Sequence, residues 1–102
     1  MIKTIKSVEL NVTEEGYLKD FSQWNMKIGE EIAKEHNIEM TDKHWEVITF
    51  LQEQVKQDKP LSIRGIKKSG VIDIKQFYAL FPGGPLKVST KIAGVPKPKS
   101  CI

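Results

Sequence analysis

The sequence holds a single cysteine, Cys101, and its thiol has the most distinctive chemistry of any side chain in the chain. A thiolate is a nucleophile that exchanges with sulfur groups on other molecules. One sulfur atom is too few for an intramolecular disulfide, a cysteine-rich zinc site or a dithiol switch. Any reaction of Cys101 therefore needs a partner, and the alternative on the residues alone is an unreactive surface cysteine at a frayed terminus.

Cys101 follows a short proline-containing segment. Pro96 and Pro98 lack backbone donors and favour extended backbone, and little after Gly94 is apolar enough to pack, so we expect residues 95–102 to form a flexible arm. The seven residues from Gly94 to Cys101 span at most about 23 Å. This length is sufficient to enter the active site of another protein.

Two lysines precede the thiol on the predicted arm. Lys97 and Lys99 favour the thiolate of Cys101 electrostatically, whereas the terminal carboxylate opposes it, which leaves the direction of its pKa shift open. We therefore assign both lysines to modulation of the thiol or to docking of the arm.

The charge is uneven along the chain. Residues 1–58 carry 7 basic and 12 acidic side chains, a net charge of −5, whereas residues 59–102 carry 9 basic side chains and one acidic, a net charge of +8. A basic half is typical of a partner of opposite charge or of a solvated face. Two short predicted helices around residues 59–70 also permit a helix-turn-helix that binds nucleic acid. Its candidate phosphate contacts are Arg64, Lys67 and Lys68.

The histidines and the aromatic residues of the sequence are better explained by structural roles than by metal or base binding. His36 and His44 have acidic neighbours, but they form neither an i,i+4 pair nor a complete ligand set, so we expect no metal and no cofactor, and a structural role for His44. Four aromatic residues at helical spacing are predicted to pack in the core rather than to stack on bases. They are Trp24, Trp45, Phe77 and Phe81.

The elements that position these residues are mostly helical. Alternating apolar residues over 2–12 predict a hairpin or extended ribbon with a turn at 14–17. Apolar periodicity and capping residues then predict five helices. They span about 25–36, 41–57, 62–69, 73–81 and 86–93.

Length and composition indicate one small domain. With 102 residues, 39% of them hydrophobic and 28% charged, the chain resembles an ordinary globular protein without a membrane span. We expect a single helical domain over residues 1–94 and an arm over 95–102. The start of the sequence lacks the features of a secretory signal, so we expect the protein in the reducing cytoplasm. We also expect it to be a monomer.

Several motifs resemble the DsrC/TusE family of sulfur-carrier proteins. The resemblance rests on Lys91-Ile92-Ala93-Gly94-Val95-Pro96-Lys97-Pro98 before the penultimate Cys101, and on Leu80-Phe81-Pro82-Gly83-Gly84-Pro85. Shorter matches occur at Gly16-Tyr17-Leu18, Trp24, His44-Trp45 and Ile63-Arg64. The resemblance implies a mostly α, orthogonal helical bundle with an N-terminal hairpin and a mobile arm. It also implies that Cys101 carries sulfur as a persulfide.

The resemblance also implies the partners. Family members that serve dissimilatory sulfite reductase have a second cysteine eleven positions before the penultimate one. This chain has Thr90 at that position. The single-cysteine pattern therefore resembles the TusE branch. Members of that branch receive sulfur from a TusBCD complex, which is related to DsrEFH, and pass it to the tRNA thiouridylase that makes wobble 2-thiouridine. The stretch between Arg64 and Leu80 is shorter than in the family, which keeps a sulfur-oxidation or sulfite-reductase partner as the alternative.

Overall fold

The computed structural model describes residues 2–5, 8–59 and 61–96. Two short strands, β1 (Ile2–Ile5) and β2 (Val8–Asn11), precede a single 3₁₀ turn at Phe21–Gln23. Within the described part of the chain, five helices follow: α1 (Met26–Glu35), α2 (Asp42–Lys56), α3 (Ile63–Ser69), α4 (Ile74–Leu80) and α5 (Pro85–Ala93). The prediction of a mostly α fold with an N-terminal hairpin is therefore confirmed.

The hairpin turns earlier than the sequence predicts. In the antiparallel register of β1 and β2, Ile5 pairs with Val8, so the hairpin closes before residues 14–17. Residues 14–17 belong to a second reversal, after which Leu18 pairs with Val12 in an isolated bridge. The Glu-Glu-Gly sequence there is a stronger turn signal than the residues that join the two strands, which explains the misplaced turn.

The helix boundaries follow the predicted start and stop residues. Four side chains accept a hydrogen bond from a backbone amide in the first turn of the helix they precede. They are Asn25, Thr41, Ser62 and Asp73. Gly70 and Gly94 end α3 and α5 in the left-handed region, with φ of 75° and 71°. Local capping chemistry thus fixes where these helices begin and end.

The core-facing side of α2 is rotated from the stripe that apolar periodicity predicts. The predicted stripe consists of Trp45, Ile48, Leu51, Gln52 and Val55. His44 and Val47 are buried beside the predicted Ile48 and Leu51, whereas Trp45 is only partly buried. The rotation follows from the ring of His44, since hydrogen bonds to both of its nitrogens hold it inside the protein.

A similar shift affects α4. The spacing of the sequence predicts that Ile74, Phe77, Tyr78 and Phe81 share one face. Phe77 and Phe81 are fully buried, as predicted, but Tyr78 is 49% exposed. Tyr78 is turned 100° around the helix from Phe77, and its hydroxyl is better accommodated by water than by an apolar core.

The most buried helix is α5, which packs against α1, α2 and α4. Burial continues past the end of the helix, because Val95 is 1% exposed. Val95, which the sequence assigns to the arm, therefore belongs to the packed body, and the first exposed residue after α5 is Pro96. None of the described helices is long and apolar enough to cross a membrane.

Candidate functional site

Four of the predicted site residues, Lys97, Pro98, Lys99 and Cys101, lie outside the described residues. The structure describes the base of their segment, where α5 ends at Ala93 and the chain continues through Gly94, Val95 and Pro96. We call residues 92–96 and the side chains that contact them the arm root.

The indole of Trp24 is the central contact of the arm root. Its Nε1–H donates a hydrogen bond to the carbonyl of Ile92 at 2.7 Å, across 68 positions of the sequence. The ring lies against two glycines, since a Cβ atom built on Gly94 would be 2.5 Å from Trp24 Cδ1, and one built on Gly29 would be 3.1 Å from Trp24 Cζ2. A larger residue at Gly94 would therefore displace the indole, whereas one at Gly29 would press on both the indole and the Ile92 carbonyl oxygen, which lies 3.0 Å from its Cβ position.

The end of α5 is held by a dense set of hydrogen bonds. The amide of Gly94 donates to the carbonyls of Thr90 and Lys91, and the amide of Val95 donates to the carbonyl of Thr90 at 3.3 Å. From α2, the Gln52 side-chain amide donates to the carbonyl of Ala93 at 2.9 Å. With Trp24 bound to the next carbonyl back, the last turn of α5 has partners that a free helix end lacks. The end of α5 and the two residues after it are therefore held in a defined position.

The 3₁₀ turn supports Trp24 from the outside. The ring of Phe21 stacks on the indole with centroids 5.9 Å apart and an angle of 7° between the planes. Asp20 caps this turn, because its carboxylate accepts from the hydroxyl of Ser22 at 2.7 Å and from the amide of Ser22 at 2.9 Å. The two bonds, the hydroxyl first, lower the pKa of Asp20 below its ordinary value.

A lysine near the end of α5 contacts an aromatic ring. Lys91 Nζ lies 5.4 Å from the centroid of the Tyr17 ring, within range of a cation–π interaction. A Cβ atom built on Gly16 would lie 3.7 Å from the same Nζ. The motifs Gly16-Tyr17-Leu18, Trp24 and Lys91–Gly94, which are separate in sequence, therefore meet around one end of α5.

The remaining motifs form a second contact group. The Thr41 amide donates to His44 Nδ1 at 3.1 Å, so Nε2 carries the proton and donates to the Leu80 carbonyl at 3.0 Å. The imidazole also meets the ring of Phe81 edge-on, with centroids 5.1 Å apart. The His44-Trp45 motif thus fixes Leu80-Phe81, and the expected structural role of His44 is confirmed.

Thr90 is fully buried on α5. Its hydroxyl lies 2.7 Å from the carbonyl of Leu86 and 3.0 Å from that of Lys87, and it donates its one proton within its own helix. Position 90 therefore holds a side chain without a thiol and without access to solvent.

The basic candidates stand apart from the arm root. Arg64, Lys67 and Lys68 are all exposed on α3. Among the described residues, no hydrogen bond or ion pair joins them to the arm root, so the structure does not bring the two sets of predicted residues together. No group of three or more His, Cys, Asp or Glu side chains suited to a metal occurs in the described part of the chain.

Sequence reasoning missed two residues of the arm root. Gln52 was predictable as a polar position in the apolar stripe of α2, because a half-buried amide needs a hydrogen-bond partner. The role of Gly29 had a weaker signal, a glycine in a helix interior, where close packing is the usual reason for it.

The comparisons with known proteins agree with this arrangement. The family model described as DsrC like protein matches residues 4–102. The chain belongs to this DsrC-like family. Its curated relatives include Sulfurtransferase TusE of Buchnera aphidicola subsp. Acyrthosiphon pisum, 40% identical over 101 residues and covering 91% of this chain and 89% of that protein. Sulfurtransferase TusE of Escherichia coli K12 is 36% identical and covers 92% of this chain and 94% of that protein.

Solved structures of the family share the fold. The NMR structure of Allochromatium vinosum DsrC matches with a TM-score of 0.83 and 32% identity, covering 100% of both chains. The oxidized gamma-subunit of the dissimilatory sulfite reductase (DsrC) from Archaeoglobus fulgidus matches with a TM-score of 0.80 and 29% identity, also over 100% of both chains. The predicted DsrC-like fold is confirmed, and the sulfurtransferase relatives support the predicted role in sulfur relay.

Proposed function

We propose that this DsrC-like protein is a sulfur-relay carrier that accepts a persulfide sulfur on Cys101 and hands it to an acceptor protein. The acceptor in this proposal is the tRNA thiouridylase that makes wobble 2-thiouridine, and the donor is a TusBCD-like complex. The proposal includes a monomer in the cytoplasm, where reducing conditions keep a lone thiol free.

The arm root is the observation that carries this proposal. A carrier must present its sulfur to two partners in turn, which requires a segment that leaves the body from a defined point. Trp24, Gln52 and Gly94 define such a point at the end of α5. Because Thr90 offers no second thiol, sulfur held on Cys101 is not displaced by a neighbouring cysteine of the same chain.

The chemistry consists of two thiol exchanges. The Cys101 thiolate attacks the outer sulfur of a donor persulfide, the sulfur–sulfur bond of the donor breaks, and the donor leaves as a thiolate. Cys101 then carries a persulfide. An acceptor thiolate attacks the outer sulfur in the same way, which regenerates the Cys101 thiolate. Each step conserves electrons, so no external oxidant or reductant is needed.

Mass spectrometry of the intact protein tests the carrier role. Incubation with a sulfane-sulfur donor protein should add one sulfur atom to the wild-type chain and none to Cys101→Ala. An increment that survives in Cys101→Ala, or no increment from any cognate donor, would contradict the proposal. A sulfite-reductase-type acceptor is the second candidate, because solved DsrC structures share this fold. Transfer assays with each acceptor separate the two.

The exposed basic face of α3 suggests an additional contact. Arg64, Lys67 and Lys68 are available to bind an acceptor that already holds tRNA, or nucleic acid alone in a helix-turn-helix mode. Lys67→Glu/Lys68→Glu should weaken binding to the acceptor–tRNA complex, and Lys75→Glu/Lys87→Glu is a control with the same charge change. A binding module would tolerate Cys101→Ser, whereas a carrier loses all transfer with that change.

A further inference from the structure

A groove is formed around Trp45 of α2, by residues that lie outside the arm root. The side chain of Trp45 lines two adjoining concavities of about 640 and 540 Å³. The first lies against α1 and the loop before α2 and includes Ile38 and Met40, and the second includes Phe50 and Val71. We call these two concavities together the Trp45 groove. The less exposed lining residues are apolar and form the floor of the groove, which suits a partner with apolar side chains. They are Ile38, Met40, Trp45, Phe50 and Val71.

The rim of the Trp45 groove is acidic. Glu30 and Glu39 line the first concavity, and Asp42 and Glu46 line the second, against one lysine, Lys34. These five side chains carry a net charge of −3.

Lysines offset only part of this rim charge. Lys34 pairs with Glu30 at 3.9 Å, and Lys43 pairs with Glu46 at 3.1 Å. Glu39 and Asp42 have no ion-pair partner among the described residues. A negative rim around an apolar floor favours a cationic protein segment and repels nucleic acid.

The Trp45 groove lies close to the arm root. Trp45 and Gln52 are seven residues apart, so they share a face of α2 and are separated by about 10.5 Å along the helix axis. Gln52 binds the end of α5. A partner that covers about 800 Å² of this protein, the usual size of a specific interface, therefore spans both features.

We propose that the Trp45 groove docks a cationic, apolar segment of the protein that donates sulfur to Cys101. This inference rests on the proposed carrier function for the identity of the partner, but the groove and its charge are independent of the thiol. Apolar side chains of the segment pack on Trp45 and Phe50, and its lysines or arginines face Glu39, Asp42 and Glu46.

A labelled helical peptide provides a direct test. The probe is a fluorescent 15-residue peptide with leucines on one face and lysines on the other, and its counterpart carries glutamate in place of lysine. Binding is measured by fluorescence anisotropy on the full chain with Cys101→Ser, so that persulfide chemistry plays no part. The lysine peptide should bind, with affinity that falls as salt rises, and the glutamate peptide should not.

Matched charge variants distinguish the groove from general attraction. Glu39→Lys/Glu46→Lys should weaken binding about tenfold. Glu9→Lys/Glu53→Lys makes the same change in net charge on exposed residues outside the groove and should weaken it less than twofold. Equal weakening by both pairs, equal binding of both peptides, or no binding at all would overturn the inference.

A transfer assay then separates this inference from the carrier function. With Cys101 intact, the groove variant should still gain one sulfur from inorganic polysulfide but should lose transfer from the protein donor, and the control pair should keep both. A groove variant that keeps full protein-to-protein transfer would overturn docking at this groove. A wild type that gains sulfur from neither source would overturn the carrier function, and the peptide measurements would still decide whether the groove binds a cationic segment.

Discussion

Replacement of Gly94 by alanine should disrupt the arm root more than the same replacement at any other glycine. Gly94 has φ of 71°, a conformation that L-residues adopt at a cost of about 1–2 kcal/mol. The new Cβ would also lie 2.5 Å from Trp24 Cδ1 and 2.8 Å from Cγ, which is closer than packed atoms approach. The indole must therefore move away from the end of α5.

Movement of the indole adds a second cost. The hydrogen bond from Trp24 Nε1 to the Ile92 carbonyl is 2.7 Å long and would be lost or weakened, at a cost of about 1 kcal/mol. Together with the backbone strain, we expect Gly94→Ala to lower the free energy of unfolding by about 2–3 kcal/mol. In a domain of this size the Tm should fall by roughly 10–20 °C.

Gly70 provides a matched control for this substitution. It also ends a helix in the left-handed region, with φ of 75°, but a Cβ atom there would meet nothing within 4 Å. Urea unfolding of Gly70→Ala should therefore report the backbone strain alone, and Gly94→Ala should cost at least 1 kcal/mol more. Equal losses would refute the role of the indole. In a Trp24→Ala background the two glycine substitutions should become equivalent, which a double-mutant cycle measures.

Three further results are expected. Trp24→Phe keeps the ring but removes the donor to the Ile92 carbonyl, so urea unfolding should show a loss of about 1 kcal/mol. Ser22→Ala removes the hydroxyl donor but keeps the backbone amide of residue 22, so it should raise the pKa of Asp20, measured by NMR titration of the carboxyl group. It should also reduce the part of the stability that the wild type loses as the pH falls through the folded-state pKa of Asp20. Thr90 is fully buried, so a thiol introduced by Thr90→Cys in a Cys101→Ser background should be protected from a bulky thiol reagent in the folded protein. The same thiol should react in urea. Fast labelling of the native protein would contradict this expectation.

Much of the fold follows from local sequence signals. The helix ends were predictable because Asn25, Thr41 and Ser62 cap helices with their own side chains and Gly70 and Gly94 stop them. The orientation of each helix was less predictable. The core side of α2 depends on two hydrogen bonds of the His44 ring, which accepts from the Thr41 amide and donates to the Leu80 carbonyl. The bond to Leu80 is a tertiary contact that apolar periodicity does not encode.

The candidate site, like the fold, was only partly predictable from the sequence. The motif residues were visible in the sequence, but their meeting point was not, because Trp24 reaches Ile92 across 68 positions and Gln52 reaches Ala93 across 41. Such long-range hydrogen bonds depend on how the helices pack. Composition showed the acidic first half of the chain, but only the structure places four of its carboxylates around the Trp45 groove.

Burial of Val95 shortens the segment that connects the packed body to Cys101, and so limits the distance over which the proposed sulfur exchange can occur. The sequence alone starts the arm after Gly94, which gives Cys101 a reach of about 23 Å. Since Val95 packs in the core, six residue steps separate this last buried residue from Cys101, and chain length limits the reach to about 20 Å. In the proposed sulfur exchange, the partner's cysteine must therefore come within this distance of Val95. Docking at the Trp45 groove is compatible with this limit, because Trp45 lies about 10.5 Å along α2 from Gln52, which binds the end of α5.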